Sequence, residues 1–423
     1  MSHHEIIIVG AGLSGLIAAR DLLLVGHEVI VLEARDRVGG RTWTVPFEAA
    51  GCRVDLGAEW VAPQHHRAMV NELNAYNLHL ESPPAMPSPH GAAARVQTSD
   101  SIERLLSRCN EAAACIDVSK PDWYRDGRSV DRTVSEFLQE IEVPPEQVEW
   151  FLAESFALQG GHPDDYSMLN LIHEFAAFGS VEGAFSAAEY RVAEGAQALA
   201  TALARECGAA VWLNWEINRV GLNEKGVVID GPQGTLTAEL AIMAVPVNVL
   251  RDLALAIPIP RVAQSLIAEG HVGRAAKGWA AAMSRQSVTS IGWPDAVEVY
   301  GRSGSRAEAV CTFGVAMPDH ASALERGWSA VRQRHPGTSL VGEFMSHDWM
   351  TDPFAKGTWM SMALGQAPGL HALANMPPPC LFAGGDVSRG WYGWMEGAVT
   401  SGQDAALRAN AYLETGAVVP ATA

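Results

Sequence analysis

The chain has 423 residues, which allows two or three domains at ~150 residues per domain. Its 48 acidic and 30 basic side chains leave a net charge of −18. This charge argues against proteins that bind nucleic acids or anionic membrane surfaces, because both need a basic face. With 48% hydrophobic and 18% charged residues, the composition is that of a chain that buries a large core, and it excludes a disordered protein.

The six cysteines are scattered and none belongs to a CxxC pair, so we expect neither a disulfide framework nor a structural zinc site. The first residues pass directly into an apolar segment, without the basic region or cleavage site of a signal peptide. The longest segment without Asp, Glu, Lys or Arg, 357–385, is interrupted by glycines and prolines and cannot form one membrane-spanning helix. The sequence therefore predicts a soluble, cytoplasmic protein.

The N-terminus predicts a βαβ unit. Residues 5–9 are a continuous apolar run, typical of a buried parallel strand, and a helical pattern follows to about Leu24. Residues 26–32 predict a second strand, which ends at Glu33. The whole unit takes the ~30 residues expected of this motif.

The predicted secondary structure of the middle of the chain changes twice, from helices to strands and then to a mixture of both. Residues 68–180 are mainly helical in pattern, with a Pro/Gly-rich connection at 82–91, and strand patterns return between 210 and 245. A mixed segment at 260–354 precedes a last strand and helix at 380–413. We therefore predict an α/β fold: a Rossmann-like nucleotide-binding domain in discontinuous pieces, with an inserted α+β substrate domain. The predicted nucleotide-binding pieces are 1–75, 187–258 and 354–423, and the predicted substrate-domain pieces are 76–186 and 259–353.

Gly10, Gly12 and Gly15 form a GxGxxG pattern between the first strand and the first helix. The pattern alone is weak, but here it has its confirming context, including Glu33 at the end of the second strand. Gly10 permits the tight turn, Gly12 lets the backbone meet a pyrophosphate, and Gly15 allows close helix packing. The helix start at Leu13 and Ser14 supplies N–H donors for phosphate. Glu33 would accept hydrogen bonds from ribose hydroxyls.

The run that follows, Glu33-Ala34-Arg35-Asp-Arg-Val-Gly39-Gly40-Arg41, makes the sequence recognisable. It resembles the flavin-containing amine oxidases, which include monoamine, polyamine and bacterial nicotine-degrading oxidases. The resemblance implies that FAD is the cofactor of the Rossmann-like domain and that this run meets it. Gly39 and Gly40 would let the backbone approach FAD, and Arg41 would lie near its pyrophosphate.

Two more N-terminal blocks carry the resemblance. The segment containing Gly57, Ala58, Glu59 and Trp60 is similar to the family's turn past the isoalloxazine ring, with Ala58 in place of a second glycine. The resemblance places Glu59 and Trp60 where flavin and substrate meet. The segment 65–67 is similar to the bacterial alkaloid oxidases. Its paired histidines have no partner set with metal-ligand spacing, so we predict no metal site.

The central blocks carry three further expectations. Residues 190–199 and 244–246 resemble the segments that re-enter the FAD domain, and Val220 falls where a strand would touch the adenine. Lys277 lies in a charge-poor segment, where a lysine is costly to bury without a partner. In the family a lysine at this point holds a water against flavin N5. Gln159 falls where members often place an amide that faces the flavin.

The C-terminal blocks are the most specific. Trp349 precedes Thr358 by nine residues, and the family has a tryptophan packed near the flavin at that spacing. Thr358 stands where mammalian monoamine oxidases carry the cysteine that bonds to the flavin, so we expect non-covalent FAD. Gly384, Gly385 and Asp386 would contact the phosphate–ribitol portion.

The last helix is predicted to start at Trp394 and Met395, with its N–H groups directed at the flavin N1/O2 edge. That partial positive field would stabilise the anionic reduced flavin. Trp359 and Trp394 match the two walls of the family's aromatic cage, which more often contains tyrosine.

The resemblance implies an FAD-dependent oxidase. A neutral amine would lie between Trp359 and Trp394 and give hydride from its α-carbon to N5. The resulting imine would hydrolyse to an aldehyde or ketone, and O2 would be reduced to H2O2. The expected partners are this small amine and O2, with no nucleic acid and no membrane; a homodimer is a further expectation.

Three alternatives stay open. An L-amino-acid oxidase would need an arginine to clamp the carboxylate, and the directions of Arg389 and Arg67 cannot be read from the sequence. A flavin desaturase shares the N-terminal blocks, although Lys277 and the paired tryptophans count against it. The third alternative is a module that binds FAD or NAD without turnover.

Overall fold

The computed structural model describes residues 2–82, 100–284 and 287–421. Its strands, in chain order, are β1 (Ser2–Val9), β2 (Val29–Leu32), β3 (Thr44–Phe47), β4 (Cys52–Asp55), β5 (Trp60–Val61), β6 (Leu80–Glu81), β7 (Tyr190–Val192), β8 (Val211–Trp212), β9 (Arg219–Asn223), β10 (Gly226–Gly231), β11 (Gly234–Met243), β12 (Ala254–Ala256), β13 (Ala275–Met283), β14 (Ser290–Ile291), β15 (Glu298–Ser303), β16 (Glu308–Val315), β17 (Ser339–Ser346) and β18 (Cys380–Phe382). Its α-helices are α1 (Leu13–Leu24), α2 (Arg67–Ala75), α3 (Asp100–Ala114), α4 (Val134–Ile141), α5 (Pro145–Gln159), α6 (Met168–Ala177), α7 (Val181–Phe185), α8 (Gln197–Cys207), α9 (Val247–Leu250), α10 (Arg261–Glu269), α11 (His320–Arg334), α12 (Ala367–Ala374) and α13 (Met395–Thr415).

The main sheet grows from the N-terminal βαβ unit. Strand β1 pairs in parallel with β2 on one side and with β11 on the other. The order is β12-β9-β10-β11-β1-β2-β8, and β18 pairs with the C-terminal end of β11. On one face of the sheet Ile6 and Ile8 pack toward α1 and α13, whereas Ile7 packs into the core on the other face of the sheet. Both faces of β1 are therefore covered, which explains its unbroken apolar sequence.

A second, antiparallel sheet has the order β14-β15-β16-β13-β17. Helix α11 covers one face, where Trp328 packs against alternate residues of β13, β15 and β16. The other face carries Trp279, Tyr300 and Phe313 and packs toward α5. This alternation divides the residues of each strand between the two faces, and the second face forms part of the cavity described below.

The structure confirms the fold class and most predicted elements. The turn predicted at 231–234 is a hairpin, since Gly231 pairs with Gly234 between β10 and β11. Strand β2 starts three residues later than predicted, because residues 26–28 turn before Val29. The hairpin β3–β4 and the strands β13 and β15 were not predicted. The connection predicted at 82–91 falls almost entirely outside the described residues.

None of the helices in the described part of the chain combines the length and apolar character needed to cross a bilayer. The same residues contain no group of three or more His, Cys, Asp or Glu side chains placed to hold a metal ion.

Candidate active site

One cavity begins where the central strands of the main sheet end. Val9, Leu32 and Ala244 line it at the carboxyl ends of β1, β2 and β11, and Gly384 lines it just beyond β18. This is the edge at which open α/β sheets bind their ligands. The cavity continues from there to the second sheet, where Ala275, Lys277, Glu298, Tyr300 and Phe313 line it.

Most of the predicted site residues share this cavity. Those that line it are Gly10, Gly12, Leu13, Ser14, Glu33, Ala34, Arg35, Gly40, Arg41, Gly57, Ala58, Glu59, Trp60, Lys277, Trp349, Trp359, Gly385, Trp394 and Met395. The predicted residues that do not line it are Gly15, Gln159, Val220 and Asp386.

The glycine loop presents bare backbone to the cavity. A Cβ on Gly12 would meet nothing within 4 Å, and its φ of −74° is open to any residue. Gly10 has a φ of +103°, and a Cβ there would lie 2.6 Å from the Ala244 carbonyl oxygen. Gly15 serves packing instead, because its Cβ would lie 2.0 Å from the Gly10 oxygen. The N–H groups in the first turn of α1, which have no partner within the helix, are therefore free to meet an anion.

Two charged residues beside this loop are held in place by their neighbours. One carboxylate oxygen of Glu33 accepts the Ala11 N–H at 2.8 Å and the other accepts the Arg35 N–H at 2.9 Å. Arg41 donates to the Thr358 carbonyl and to Asp386, each at 2.7 Å. Asp386 also accepts the Val247 N–H at 2.9 Å, so its carboxylate holds the cavity wall from behind.

The strand that was expected to meet the adenine contributes different residues from the predicted one. Val220 is fully buried in the core of β9 and does not line the cavity. Trp215, Glu216 and Ile217, in the segment just before β9, line it instead. The chain therefore reaches the cavity a few residues earlier than the resemblance implied.

Lys277 and Glu59 form a buried ion pair at the junction of the two sheets. The Lys277 Nζ donates to Glu59 Oε2 at 2.7 Å and to the Gly57 carbonyl at 3.1 Å. Burial by itself would lower the pKa of Lys277, but the Glu59 carboxylate outweighs it and holds that pKa above its usual value. Burial would raise the pKa of Glu59, yet Lys277 and Arg191 keep it below its usual value. Both groups are therefore charged near neutral pH.

Four of the cavity residues that sequence reasoning missed are Glu154, Glu298, Tyr300 and Phe313. Phe313 on β16 lies directly opposite Lys277 on β13 and Glu298 on β15, so these three side chains share a face. Tyr300, two residues along β15, donates to Glu59 at 2.7 Å. Glu154, on α5, faces Glu298 across the cavity. The sequence signal for Glu154 and Glu298 was an acidic residue in an apolar segment. Their proximity in the cavity depends on the pairing of distant strands, which that signal does not contain.

Glu154 and Glu298 are acidic groups in an environment that favours their neutral forms. Burial and the carboxyl of Glu298 raise the pKa of Glu154 to about 8. Burial and the carboxylate of Glu59 raise the pKa of Glu298 to about 7, against the opposing effect of Lys277. Near neutral pH this part of the cavity therefore holds protons that can exchange with a ligand.

Three of the cavity tryptophans are fixed through their indole N–H groups. Trp359 donates to the Leu158 carbonyl at 2.7 Å, and Trp349 donates to the Leu56 carbonyl at 2.9 Å. Trp394, the residue before α13, donates to Glu174 at 2.6 Å. Trp60 packs edge-on against Tyr300, with ring centroids 5.0 Å apart. The aromatic surfaces are therefore held in defined orientations around the cavity.

Gln159 lies outside the cavity lining. It is buried beside Glu174, to which its side-chain amide donates, and its carbonyl oxygen accepts from Asn170. Burial raises the pKa of Glu174 to about 8, although the bonds from Trp394 and Gln159 oppose this.

The cavity fits a flavin dinucleotide. Bare backbone at Gly12 and the N–H groups of α1 suit a pyrophosphate, and Glu33 suits a ribose. Thr358 lines the cavity, and its buried hydroxyl has no hydrogen-bond partner among the described residues. Helix α13 begins at the cavity wall with Trp394 and Met395, so its N-terminal N–H groups lie close to the space that a ring system would take.

The chain belongs to the family of flavin-containing amine oxidoreductases, whose family model matches residues 13–410. It is a flavin-dependent enzyme that oxidises amines, and its cofactor is FAD. The resemblance, the class of enzyme and the cofactor predicted from the sequence are thereby confirmed.

The chain shares about a quarter of its residues with individual relatives. The chain is 25% identical over 452 residues to pseudooxynicotine dehydrogenase of a Pseudomonas species, across 97% of this chain and 87% of the relative. It is 26% identical over 431 residues to (S)-6-hydroxynicotine oxidase of Paenarthrobacter nicotinovorans, across 95% of this chain and 98% of the relative. The solved structure of cyclohexylamine oxidase from Brevibacterium oxydans matches with a TM-score of 0.86 at 22% identity, across 97% of this chain and 99% of that one. This last likeness supports the fold.

The raised pKa of Glu154 predicts a pH-dependent gain in stability for Glu154→Gln. Between the ordinary value of 4.5 and about 8, the folded protein keeps a proton that the unfolded chain loses, so stability falls as the pH rises. The glutamine side chain of the variant does not titrate. We expect the variant and the wild type to have similar free energies of unfolding near pH 5. Above that pH the free energy of unfolding of the variant should rise relative to the wild type by up to ~1.4 kcal/mol per pH unit, until about pH 8. Denaturant unfolding of the FAD-loaded proteins at several pH values measures this.

The matched control is Glu325→Gln, at an exposed position on α11. We expect its stability difference from the wild type to stay constant across the same pH range. A constant difference for Glu154→Gln as well would show that Glu154 is ionised in the folded protein.

Proposed function

We propose that the protein oxidises a small amine to an imine, which water converts to an aldehyde or ketone, and that O2 takes up the two electrons as H2O2. FAD, when bound, supplies the hydride acceptor at N5. One observation carries the proposal: Gly12 and Glu33 line the same cavity as Lys277, Trp359 and Trp394. The residues suited to a dinucleotide and those suited to an amine therefore share one continuous cavity.

The proposed FAD-binding residues occupy the main-sheet end of the cavity and the start of α13. Gly15 and Asp386 contribute from behind the wall, through packing and through Arg41. The set that we assign to FAD is Gly10, Gly12, Leu13, Ser14, Gly15, Glu33, Ala34, Arg35, Gly40, Arg41, Gly57, Ala58, Glu59, Ile217, Trp349, Gly385, Asp386, Trp394 and Met395.

Lys277 is the proposed catalytic cation. A lysine ammonium has three donors, and two of them bind Glu59 and the Gly57 carbonyl. The third is available for a water beside the reacting carbon, and the buried pair with Glu59 keeps the ammonium in position. The residue thus places a positive charge and a hydrogen-bond donor where charge moves during the reaction.

The proposed amine site lies between Trp359 and Trp394, with Glu59 and Trp60 at its edge. Flat indole surfaces favour hydrophobic or heteroaromatic amines, and we propose a secondary amine of this kind. Two relatives are named for pseudooxynicotine and 6-hydroxynicotine, which supports a ring-bearing substrate. Glu298 lies in the same part of the cavity, and the carboxylate form that it takes above about pH 7 can accept the proton that a cationic amine must lose before hydride transfer.

The alternative of an L-amino-acid oxidase is not favoured. Among the described residues, the arginines that line the cavity are Arg35 and Arg41. Each already pairs with an aspartate, Asp352 and Asp386 respectively, and neither lies among the second-sheet residues.

Three further expectations from the sequence stay proposals: the cytoplasmic location, the homodimer and the division into domains. All six cysteines are free, which supports a cytoplasmic location. A homodimer would be tested by light scattering of the FAD-loaded protein. The division of the chain into an FAD domain at 1–75, 187–258 and 354–423 and a substrate domain at 76–186 and 259–353 would be tested by limited proteolysis.

A panel of primary, secondary and cyclic amines, each mixed with the FAD-loaded protein under air, tests the proposed reaction. We expect H2O2 and carbonyl product in equal amounts from at least one ring-bearing amine, and none from L-amino acids. Carbonyl product that forms only with an artificial electron acceptor would overturn the proposed role of O2. No product from any amine under either condition would overturn the proposal as a whole.

Acid precipitation is expected to release all of the flavin into the supernatant. Thr358 has no thiol, so this position cannot form a thioether to FAD. Absorbance of the supernatant and of the redissolved pellet measures the two fractions. Flavin that stays with the washed pellet would contradict non-covalent binding.

A further inference from the structure

Both tryptophan walls are anchored at the same end of one helix. Trp359 donates to the carbonyl of Leu158, in the last turn of α5. Trp394 donates to Glu174, and the other carboxylate oxygen of Glu174 accepts from Gln159, the last residue of α5. The C-terminal end of α5 therefore binds Trp359 directly and Trp394 through the Glu174 carboxylate.

The direction of these bonds is determined by a backbone group. The Met362 N–H donates to Asn170 Oδ1 at 3.2 Å, and a backbone N–H can only donate. The Asn170 amide nitrogen must then face Gln159 Oε1, which turns the Gln159 amide nitrogen toward Glu174. Glu174 thus receives a donor on each oxygen, one from Gln159 and one from Trp394. The network needs an acceptor at this position that has no donor of its own.

The same helix end is shaped to receive the Trp359 ring. Gly160, which follows α5, has a φ of +64°, and a Cβ there would lie 2.7 Å from Trp359 Cζ2. Glu174 is 6% exposed and Gln159 is 1% exposed, so solvent does not replace their bonds. The separation of the two indoles is therefore determined by buried, directional contacts.

We propose that Glu174 is a positioning residue for the amine site, which fixes the plane of Trp394 relative to Trp359 and so determines the width of the slot between them. The inference rests on the proposed function, in which the two indoles flank the amine. Glu174 itself does not line the cavity and acts through Trp394.

A double-variant cycle of Glu174→Gln and Trp394→Phe tests this role. The glutamine keeps the size of Glu174 but adds an N–H group that faces either Gln159 or Trp394, so the network is mismatched. The phenylalanine keeps a flat wall and removes the indole N–H. The readout is kcat/KM for a flat ring-bearing amine relative to that for a linear alkylamine. It is measured on FAD-loaded protein at about pH 9, because Glu174, with its pKa raised to about 8, is ionised there and accepts on both oxygens.

We expect Glu174→Gln to lower this selectivity ratio at least tenfold in the wild-type background and less than twofold in the Trp394→Phe background. Glu149→Gln, on the exposed side of α5, is the control and should leave the ratio unchanged. Glu174→Asp keeps the charge, moves the acceptor by ~1.5 Å and should lower the ratio in the same direction by a smaller factor. It serves as the test variant if Glu174→Gln does not fold.

Three results would contradict the inference, and they are distinguishable. If Trp394→Phe changes the ratio but the Glu174 variants do not, Glu174 has no positioning role while the tryptophan wall stands. If Trp394→Phe itself leaves the kinetics unchanged, Trp394 does not flank the amine. Both the inference and that part of the proposed function then fail. Equal effects of Glu174→Gln in the two backgrounds would indicate a general structural role and overturn the inference as well.

Discussion

Replacement of Lys277 by methionine is expected to slow the amine-driven reduction of the enzyme or its reoxidation on the order of 10²-fold, the size typical of removing one preorganised donor. The same change should lower the free energy of unfolding by ~3 kcal/mol, because it leaves the buried Glu59 without its nearest cation. FAD binding should persist, since the glycine loop and Glu33 are untouched. Stopped-flow kinetics and denaturant unfolding of the FAD-loaded variant measure the two effects.

The double variant Lys277→Met with Glu59→Gln separates catalysis from stability. Removal of the stranded carboxylate should restore most of the lost stability, whereas the rate should stay low because the cation is still absent. Lys225→Met, at an exposed position between β9 and β10, is the matched control and should change neither quantity. Wild-type kinetics in Lys277→Met would remove the proposed catalytic role.

Replacement of Gly12 by aspartate is expected to weaken FAD binding at least ~100-fold, equal to ~3 kcal/mol. A side chain at this position meets no protein atom within 4 Å and projects into the space proposed for the pyrophosphate, where its carboxylate also repels phosphate. Gly12 is the N-cap of α1, and aspartate is a preferred N-cap residue, so the helix should not be weakened. Equilibrium titration of the apoprotein with FAD measures the affinity.

Gly337→Asp is the control for this substitution. Gly337 also has open space around its Cβ position, but it lies in the turn after α11, outside the cavity lining. We expect it to bind FAD like the wild type. Equal affinities of Gly12→Asp and Gly337→Asp for FAD would show that the glycine loop does not contact the cofactor.

The parts of the fold and site that the sequence predicts depend on local patterns. Strand β1, helix α1 and Glu33 are contiguous, so one motif with fixed spacing predicts both the structure and the ligand that it binds. The helical pattern likewise predicts α13, whereas the roles of Trp394 and Met395 at its start came from the resemblance. The resemblance to a family added Lys277 and Trp359, whose neighbours in sequence carry little meaning by themselves.

The parts that the sequence did not predict depend on contacts between distant segments. Glu298 shares a sheet face with Lys277 only because β16 lies between β15 and β13 in this register, an order that no local pattern contains. Glu174 is one acidic residue in an apolar helix, and its partner Trp394 lies 220 positions away. The resemblance gave Val220 as the adenine contact; this residue is buried in the core of β9, whereas Ile217, just before the strand, lines the cavity.

Anaerobic mixing of the FAD-loaded protein with ring-bearing amines tests the central claim most directly. We expect a substrate amine to bleach the flavin absorbance at roughly 450 nm, the oxidised band that is lost when the cofactor takes up a hydride. The rate of bleaching should saturate with amine concentration. The bleaching should be much slower in Lys277→Met and should leave Lys225→Met unaffected. An absorbance that no amine changes, in protein that binds FAD, would contradict the account.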